Sequence, residues 1–515
     1  MNGSSAGRPV SLWVATAGTT TYPSLDTDVE VDVAVIGGGI AGLTAALALK
    51  RAGQTVAVVE AGRVGTGVTG HTTGKVTSLH RLAYTELAGK HGDATARTYG
   101  QANQAAIGHI ARTVAEEGID CGFRRVANYT YAESEAGLEL VRAEAERAAR
   151  LGLPSTFTSE VPLPFPVRGA VRFDDQAQFH SIRYLQGLAS SVDGGGSFVF
   201  EDSRALSFRD GSPALVTTES GSVRAREVIV ATNVPFGDAG RFDARCYLHR
   251  SYIVASRIEG PPTDATFIGA DEPMRSILTV AVDGAAFVLT GGEGHRASDG
   301  GDPAERYGRL AAFARDRLGA GDLAFRWSTQ DEMPVDGLPY VGLLTPEAKH
   351  VHVITGLRKW GLTNGTAAAL MLADALCGRA NPWAAVFDSR RSAPAPGLPA
   401  SDIPSPPVAG TATPAVPPSR GIALPPPGAG AVVDVDGDPV AVYTDPGGQV
   451  RAVTAICTHL GCTVGFNAAD VSWDCPCHGS RFAIDGAVIQ GPATKDLAAR
   501  NLPDMGQEPG SGQLQ

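Results

Sequence analysis

The sequence predicts two separately folded parts: an α/β domain that fills most of the chain, and a small all-β domain near the C-terminus. The first follows from an apolar strand pattern at residues 31–36 that runs into a glycine-rich turn and then a helix pattern. The second follows from short alternating runs after residue 429, separated by Asp-Gly and Pro-Gly-Gly turn signals. A chain of 515 residues with 43% apolar content is long enough for two or three independently cored units.

Charge and hydropathy exclude several classes of partner. The net charge of −11 and the lack of any Lys/Arg run disfavour nucleic acid and anionic membrane surfaces. No stretch reaches about 18 consecutive apolar residues, and residues 1–20 lack the basic start and apolar core of a secretory signal. We therefore expect a cytoplasmic protein without integral membrane association.

Composition divides the chain into five parts. Residues 392–428 hold about a third of the 34 prolines together with Ala, Ser and Gly, which is typical of a linker without a packed core. We expect this linker to separate the α/β part, residues 30–391, from the small β domain, residues 429–503. Residues 1–29 are predicted to be an N-terminal extension, and the polar, Gly-rich residues 504–515 a flexible tail.

The glycine-rich turn has the spacing of a dinucleotide site. Gly37 permits the tight turn after the first strand, Gly39 lets the backbone approach a pyrophosphate, and Gly42 lets the helix pack closely on the strand. The pyrophosphate would rest on the helix N-terminus, where free N–H groups and the helix dipole favour anions. Alone this spacing is common, but here strand, turn, helix and second strand follow in order.

The second strand ends in an acid. Residues 56–59 are apolar and lead into Glu60, which is placed to accept hydrogen bonds from the ribose hydroxyls of an adenosine half. A carboxylate at this point disfavours a 2′-phosphate, so NADP is not expected here. FAD and NAD both remain compatible with this part of the sequence.

Three further segments resemble the D-amino acid oxidase and glycine oxidase family. Residues 63–77 are similar to the segment that wraps the flavin, residues 226–233 to the strand that closes the FAD domain, and residues 354–363 to the C-terminal flavin loop. The resemblance implies FAD, held in an α/β FAD-binding Rossmann-like domain with an antiparallel-sheet substrate domain. The residues it assigns to cofactor binding, together with those of the glycine turn, are Gly37, Gly39, Ile40, Ala41, Gly42, Glu60, Ala61, His71, Thr72, Thr73, Gly74, Lys75, Gly356, Trp360, Gly361, Leu362 and Thr363.

His71 has two interpretations. It lies where some dimethylglycine and sarcosine dehydrogenases of this family carry a histidine covalently joined to the flavin. The alternative is a polar residue near the ring without a covalent bond.

The resemblance also implies a reaction class. Family enzymes typically dehydrogenate a C–N bond by hydride transfer to the flavin, so the expected substrate is a small amine or amino acid. The substrate sheet is expected from residues 95–190 and 245–330. Side chains that could face a substrate are Arg250, Tyr252, those of residues 292–296, Tyr340 and Trp360, although each of these is more often a surface or core residue. No catalytic base is predicted.

The strongest pattern lies near the C-terminus. Cys457-x-His459 and Cys462 are followed, thirteen residues after Cys462, by Cys475-Pro-Cys477-His478, so that cysteines and histidines cluster at short spacing. In a cytosolic chain this clustering suggests a metal site. Tetrahedral zinc sites use cysteine and histidine ligands at short spacing, so a zinc site is one interpretation of this pattern. The scattered Cys121, Cys246 and Cys377 are expected to be inert core residues.

The two Cys/His loops resemble the cluster-binding loops of Rieske proteins. The resemblance extends to Gly461, Pro476, Gly479 and the Gly491-Pro492-Ala493 run. The resemblance implies a [2Fe–2S] cluster with thiolates on one iron and imidazoles on the other. It assigns Cys457 and Cys475 as thiolate ligands and His459 and His478 as imidazole ligands. It also implies that Cys462 and Cys477 form the loop-to-loop disulfide of the respiratory-type branch, so the small β domain is expected to be a Rieske domain.

Two positions after the second loop bear on the reduction potential. Ser480 resembles the serine that hydrogen-bonds a bridging sulfide, whereas Phe482 stands where high-potential members have a tyrosine. Loss of that donor lowers the potential, because hydrogen bonds to the sulfurs stabilise the reduced cluster. We therefore expect an intermediate potential, below that of respiratory Rieske proteins.

Three functions are compatible with this arrangement. The preferred one is FAD-dependent dehydrogenation of an amine or amino acid, with electrons relayed between FAD and the cluster and an external electron carrier as partner. The second is a flavin oxidase that uses dioxygen, with the Rieske domain as a docking or redox-sensing module. The third is a non-catalytic electron-transfer protein. A flavin hydroxylase is a further possibility, but no separate NADPH-site fingerprint is evident.

Overall fold

The computed structural model describes residues 7–236, 242–391 and 424–502. Most of the predicted linker, residues 392–423, and the predicted tail lie outside the described residues. The described chain forms two compact units. The first holds residues 7–236, 242–296 and 305–391, and the second holds residues 297–304 and 424–502.

Seventeen strands belong to the first unit in the described residues. In chain order they are β1 Asp28–Ile36, β2 Val56–Val59, β3 Lys75–Val76, β4 Arg124–Ala132, β5 Ser155–Thr158, β6 Gly169–Gln178, β7 Phe198–Phe200, β8 Ser207–Arg209, β9 Ala214–Thr217, β10 Ser222–Asn233, β11 Cys246–Arg257, β12 Ala265–Gly269, β13 Arg275–Val282, β14 Ala285–Arg296, β15 Leu323–Pro334, β16 Tyr340–Leu343 and β17 Val351–Thr355.

Nine α-helices lie in the described residues. They are α1 Leu12–Thr16, α2 Ile40–Arg51, α3 Ala83–His91, α4 Asp93–Glu116, α5 Glu135–Arg150, α6 Ser181–Val192, α7 Pro303–Leu318, α8 Gly361–Leu376 and α9 Ala384–Phe387. None of the described helices is long and apolar enough to cross a membrane.

The first sheet has the order β16-β17-β10-β1-β2-β7, with β9 beside β10 and β8 beside β9. Strands β17, β10, β1, β2 and β7 run parallel. The central strand β1 is apolar and buried over its second half, as a parallel strand covered on both faces requires. Helices α2 and α8 pack on this sheet through small and aliphatic side chains, among them Leu43 and Ala368. This is the predicted Rossmann-like α/β part.

The second sheet has the order β15-β11-β14-β13-β12-β4-β6-β3, with β5 beside β6. All its neighbouring strands are antiparallel except β12 and β4. One face packs against α7, where Ala314 joins a cluster with Phe267 and Ile277. We call the opposite face, which carries Trp327, Ile253 and Ser276, the inner face. The predicted antiparallel-sheet substrate domain corresponds to this sheet.

The segment before β1 is packed rather than isolated. Leu12 and Trp13 of α1 are completely buried in a cluster with Ile253 and Trp327 of the second sheet. Ser11 caps the helix, because its hydroxyl accepts from the N–H of Trp13 at 3.2 Å. The described part of the predicted extension thus contributes to the core of the first unit.

The second unit contains two small antiparallel sheets. The first joins β18 Gly430–Val435, β19 Asp438–Thr444 and β20 Val450–Thr454; the second joins β21 Gly465–Asn467, β22 Ser472–Asp474, β23 Arg481–Phe482 and β24 Val488–Gln490. Their shared core includes Val453, Trp473 and Phe482, together with the two free thiols Cys457 and Cys475. The predicted small all-β domain is confirmed.

Candidate functional sites

The glycine turn sits between the end of β1 and the start of α2. Gly37 has φ +111°, and a Cβ there would lie 2.7 Å from the carbonyl oxygen of Ala231 on β10. A Cβ on Gly42 would overlap the carbonyl oxygen of Gly37, so only glycine lets the helix start this close to the strand. The N-cap residue Gly39 has no side chain that could cap the helix, and the first N–H of α2, that of Ile40, donates to the hydroxyl of Thr69 at 3.2 Å.

Glu60 follows β2, as predicted, and is held by the backbone. One carboxylate oxygen accepts from the N–H of Gly38 at 2.7 Å and the other accepts from the N–H of Gly62 at 2.9 Å. Burial raises the pKa of this carboxyl group, and the two N–H donors oppose that shift. The carboxylate therefore lies at the edge of the glycine turn, where an adenosine ribose would require it.

Residues 71–75 run across the inner face of the second sheet. The carbonyl oxygen of His71 accepts from Trp327 Nε1 on β15 at 2.9 Å, and the carbonyl oxygen of Thr72 accepts from Trp13 Nε1 at 2.7 Å. Thr73 lies 3.5 Å from where a Cβ on Gly291 of β14 would be. Each of these contacts is made with the backbone or a short side chain, so the segment is fixed closely on the sheet.

The C-terminal loop is tied to the same segment through a buried polar network. Thr363 at the start of α8 donates to the carbonyl oxygen of Thr77 at 3.0 Å. His80 contacts both partners, since its Nε2 is 2.7 Å from the Thr77 oxygen and 3.1 Å from the Thr363 hydroxyl. The His80 ring also stacks on Trp360, with centroids 4.6 Å apart. Burial lowers the pKa of His80 to about 3, so this link is made by a neutral imidazole.

Two lysines reach the inner face from these two segments. Lys75 donates from Nζ to the carbonyl oxygen of Phe267 and, at 2.6 Å, to the hydroxyl of Ser276. Lys359 donates to His249 Nδ1 at 2.9 Å and to Ser251 Oγ at 2.6 Å. The predicted flavin-wrapping segment and the predicted flavin loop therefore each place one amine on the substrate sheet.

The surroundings of the two amines differ. Lys359 lies 3.7 Å from the carboxylate of Asp331, whose pKa is raised by burial and lowered less strongly by the lysine. Burial together with the nearby Lys359 lowers the pKa of His249 to about 3. Lys75 is 5% exposed, and burial alone lowers its pKa to about 7.

Most of the side chains predicted as possible substrate contacts lie elsewhere. Arg250 and Tyr252 alternate with Ser251 along β11 and therefore point to the α7 face, where Tyr252 packs edge-on against Tyr307 at 5.1 Å. His295 approaches the Tyr252 hydroxyl at 3.1 Å on the same side. Tyr340 packs against Arg245 and the other aromatic side chains of the first sheet.

The residues of the first unit fit a bound dinucleotide. The turn at Gly37 and Gly42 has no room for side chains, the N-cap residue Gly39 places no side chain at the helix N-terminus, and a half-buried carboxylate follows β2. A Cβ on Gly361 would meet open space, so the start of α8 is also accessible to a ligand. FAD bound here supplies a hydride acceptor.

In the second unit, two matched loops bring the cysteines and histidines together. The N–H of Cys457 donates to the carbonyl oxygen of Cys462 at 2.8 Å, and the N–H of Cys475 donates to that of Ser480 at 2.8 Å. In each loop a glycine with positive φ closes the turn, Gly461 at +79° and Gly479 at +67°.

The predicted disulfide joins these loops. Cys462 and Cys477 form an S–S bond, while Cys457 and Cys475 are free and buried. The rings of His459 and His478 meet edge to face with centroids 4.9 Å apart. Two free thiols beside two imidazoles fit the ligand set of a Rieske cluster, which supplies one-electron transfer.

Phe482 is completely buried in the core that also contains Cys475, and its ring has no donor. We expect Phe482→Tyr to raise the midpoint potential of the cluster by about 60 mV. This corresponds to one hydrogen bond that stabilises the reduced form by about 1.4 kcal/mol more than the oxidised form. Protein-film voltammetry checks this, with Phe466→Tyr as the control that adds the same hydroxyl elsewhere in the unit. Equal midpoints for wild type and Phe482→Tyr would contradict the assignment of this position.

Two known protein families match parts of this chain. Residues 32–375 match the FAD dependent oxidoreductase family, and residues 420–501 match the Rieske [2Fe-2S] domain family. The cofactors predicted from the sequence, FAD and a [2Fe–2S] cluster, are those of the two families.

Individual relatives share the domains to different extents. The Rieske 2Fe-2S iron-sulfur protein YhfW of Bacillus subtilis (strain 168) is 32% identical over 501 residues, which cover 96% of this chain and 98% of the relative. Gamma-glutamylputrescine oxidoreductase of Escherichia coli (strain K12) is 28% identical over 223 residues, or 42% of this chain and 52% of the relative. The crystal structure of glycine oxidase from Geobacillus kaustophilus aligns with 71% of this chain and 99% of the glycine oxidase chain, with a TM-score of 0.61 and 19% sequence identity. At this identity the similarity is one of fold.

Several contacts around the candidate flavin site were not predicted from the sequence. Trp13, Trp327 and Asp331 were not singled out, although the first two hold residues 71–72 and the third faces Lys359. Trp13 had a signal, because Ser11 before an apolar pair is a helix N-cap pattern. No sequence pattern indicated a role for Asp331, since an acid within a strand pattern is equally compatible with a buried and with a solvent-exposed position.

Proposed function

Because the chain belongs to the FAD-dependent oxidoreductase family and also carries a Rieske [2Fe–2S] domain, we propose that it dehydrogenates a C–N bond of a small amine or amino acid and passes the electrons between FAD and the cluster. An external carrier would complete the cycle. The pairing of a two-electron with a one-electron centre in one chain supports this proposal, because the flavin can release its electron pair one electron at a time.

One structural observation carries the proposed chemistry. The two segments predicted to contact the flavin, residues 63–77 and 354–363, are bonded to each other, and both place side chains on the inner face of the second sheet. Family relatives named for acting on glycine and on gamma-glutamylputrescine are consistent with a nitrogen-containing substrate. A substrate between these segments and the sheet would be oriented by residues that are already fixed by packing.

The electron relay can be tested without knowing the substrate. Stepwise anaerobic photoreduction of the purified protein, followed by flavin absorbance and by the paramagnetic signal of the reduced cluster, reports both centres at once. We expect the cluster signal to grow as flavin electrons are consumed, at rates that do not depend on protein concentration.

The opposite result would reject the relay. If the flavin is fully reduced while the cluster stays oxidised, or if the two equilibrate only through added mediators, the cluster is not the partner of this flavin. An oxidase that uses dioxygen, with the Rieske domain as a docking or sensing module, would then be the better description.

A further inference from the structure

Lys75, one of the residues predicted to bind the cofactor, is a buried amine to which the proposed function gives no chemical step. Its Nζ donates to the carbonyl oxygen of Phe267 on β12 and to the hydroxyl of Ser276 on β13, and both acceptors are neutral. No described ion pair involves Lys75. An ammonium group buried without a carboxylate is costly, so such a group tends to be neutral or to serve a function.

The position of Lys75 connects it with the candidate flavin site. Ser276 pairs in register with Gly291, and Gly291 in turn lies beside Thr73. Lys75 therefore belongs to the segment predicted to wrap the flavin, and its amine lies on the face of the substrate sheet that this segment covers. Gln178 lies opposite it in the register of β3 and β6, and neither this amide nor the two acceptors titrate.

The second amine on the inner face is different in kind. Lys359 faces the carboxylate of Asp331 and donates to His249 and Ser251, so its positive charge has a partner. The two lysines thus divide into one with a partner acid and one with only neutral acceptors. Burial lowers the pKa of both amines, but the carboxylate of Asp331 opposes this shift at Lys359, whereas burial acts alone at Lys75. An amine with only neutral acceptors suits proton transfer.

From this geometry we propose that Lys75 is the catalytic base that takes the N–H proton of the substrate ammonium. This role rests on the proposed C–N dehydrogenation. The N–H bond of the substrate breaks and the proton forms a bond to Lys75 Nζ, which leaves the substrate nitrogen with a free electron pair. That pair forms the C=N bond as the hydride on the adjacent carbon, with both of its electrons, leaves for FAD. The substrate is oxidised by two electrons and FAD is reduced by two.

The first test reads the charge of Lys75 without any substrate. The chain has six lysines, so lysine labelled with ¹³C at Cε gives few signals, and Lys75→Gln assigns the one that disappears. In the full-length holoprotein we expect this signal to titrate near pH 7, because burial lowers the pKa of Lys75. Lys50 is the matched control, because it likewise donates only to neutral acceptors, the carbonyl oxygens of residues 191–193, but lies outside the site. A Lys75 signal that stays charged up to pH 9 would overturn the proposal.

The second test measures flavin reduction. A panel of amino acids and N-methyl amines is mixed anaerobically with the holoprotein, and flavin bleaching is followed from pH 6 to 9. We expect the rate to rise with pH through about 7 in the wild type and in Lys50→Gln. In Lys75→Gln it should fall about 100-fold or more at pH 8 and lose this inflection. If Lys75→Gln does not retain FAD, the experiment uses Lys75→Met instead, because methionine has an unbranched side chain of similar length.

The outcomes separate the two proposals. A wild-type flavin that none of these amines bleaches rejects the proposed function, and the base role with it. Bleaching of the wild type together with an unchanged rate and pH profile in Lys75→Gln rejects the base role alone.

Discussion

Gly42→Val is expected to abolish FAD binding while the Rieske unit still assembles. A Cβ at this position already overlaps the carbonyl oxygen of Gly37 and lies 3.1 Å from Cγ1 of Val35 on β1, so two further methyl groups cannot be placed without moving α2. Overpacking a close contact costs about 1–3 kcal/mol or more, and a displaced α2 also moves the helix N-terminus that would hold the pyrophosphate. We expect at least a 100-fold loss of affinity, corresponding to about 3 kcal/mol.

The measurement is the ratio of flavin to protein after gel filtration, together with the cluster absorbance of the same fractions. Gly89→Ala is the matched control, because Gly89 is exposed on α3 and a Cβ there meets nothing. That variant should keep its FAD and gain up to about 1 kcal/mol of helix stability. If Gly42→Val retained a full complement of FAD, the dinucleotide site would have to lie elsewhere in the first unit.

The parts of the site that follow local rules could be predicted from the sequence. Gly37 and Gly42 are required by the turn that precedes α2, and Glu60 follows β2 as the two-strand pattern indicated. The disulfide between Cys462 and Cys477 was predicted from a resemblance and is present. In each case the residues concerned are close together in sequence or lie in a recurrent loop.

The contacts that come from sheet pairing could not be predicted. Lys75 meets Ser276, 201 residues away, because β3 lies at the edge of a sheet whose strand order does not follow the chain. The direction of Arg250 depends on which face of β11 is covered by α7, and both faces of this strand carry apolar residues. A single sequence shows which side chains alternate along a strand. It does not show which helix or loop packs on each face of the sheet.

Cys457→Ser is expected to remove the cluster and stop electron delivery to an external one-electron acceptor. Cys457 is 2% exposed and is one of the two free thiols beside the paired histidines, and a serine hydroxyl is a much poorer ligand for iron than a thiolate. Substitution of a residue that hydrogen-bonds a metal ligand already lowers metal affinity or activity about 10–100-fold. Loss of the ligand itself should therefore lower the rate of ferricyanide reduction by more than about 100-fold. Because the first unit is unchanged, FAD content and anaerobic photoreduction of the flavin should match the wild type.

The cluster signal, the flavin content and the rate with ferricyanide are measured on the same preparation. Cys377→Ser is the matched control, since it makes the same exchange at a free, partly buried cysteine at the end of α8 and should leave all three unchanged. Two results of Cys457→Ser then discriminate between the functions. Loss of the cluster signal together with the rate places the cluster between FAD and the acceptor. If the cluster is lost while the rate persists, or while steady turnover with dioxygen continues, the flavin delivers its electrons directly, and the Rieske domain has a docking or sensing role instead.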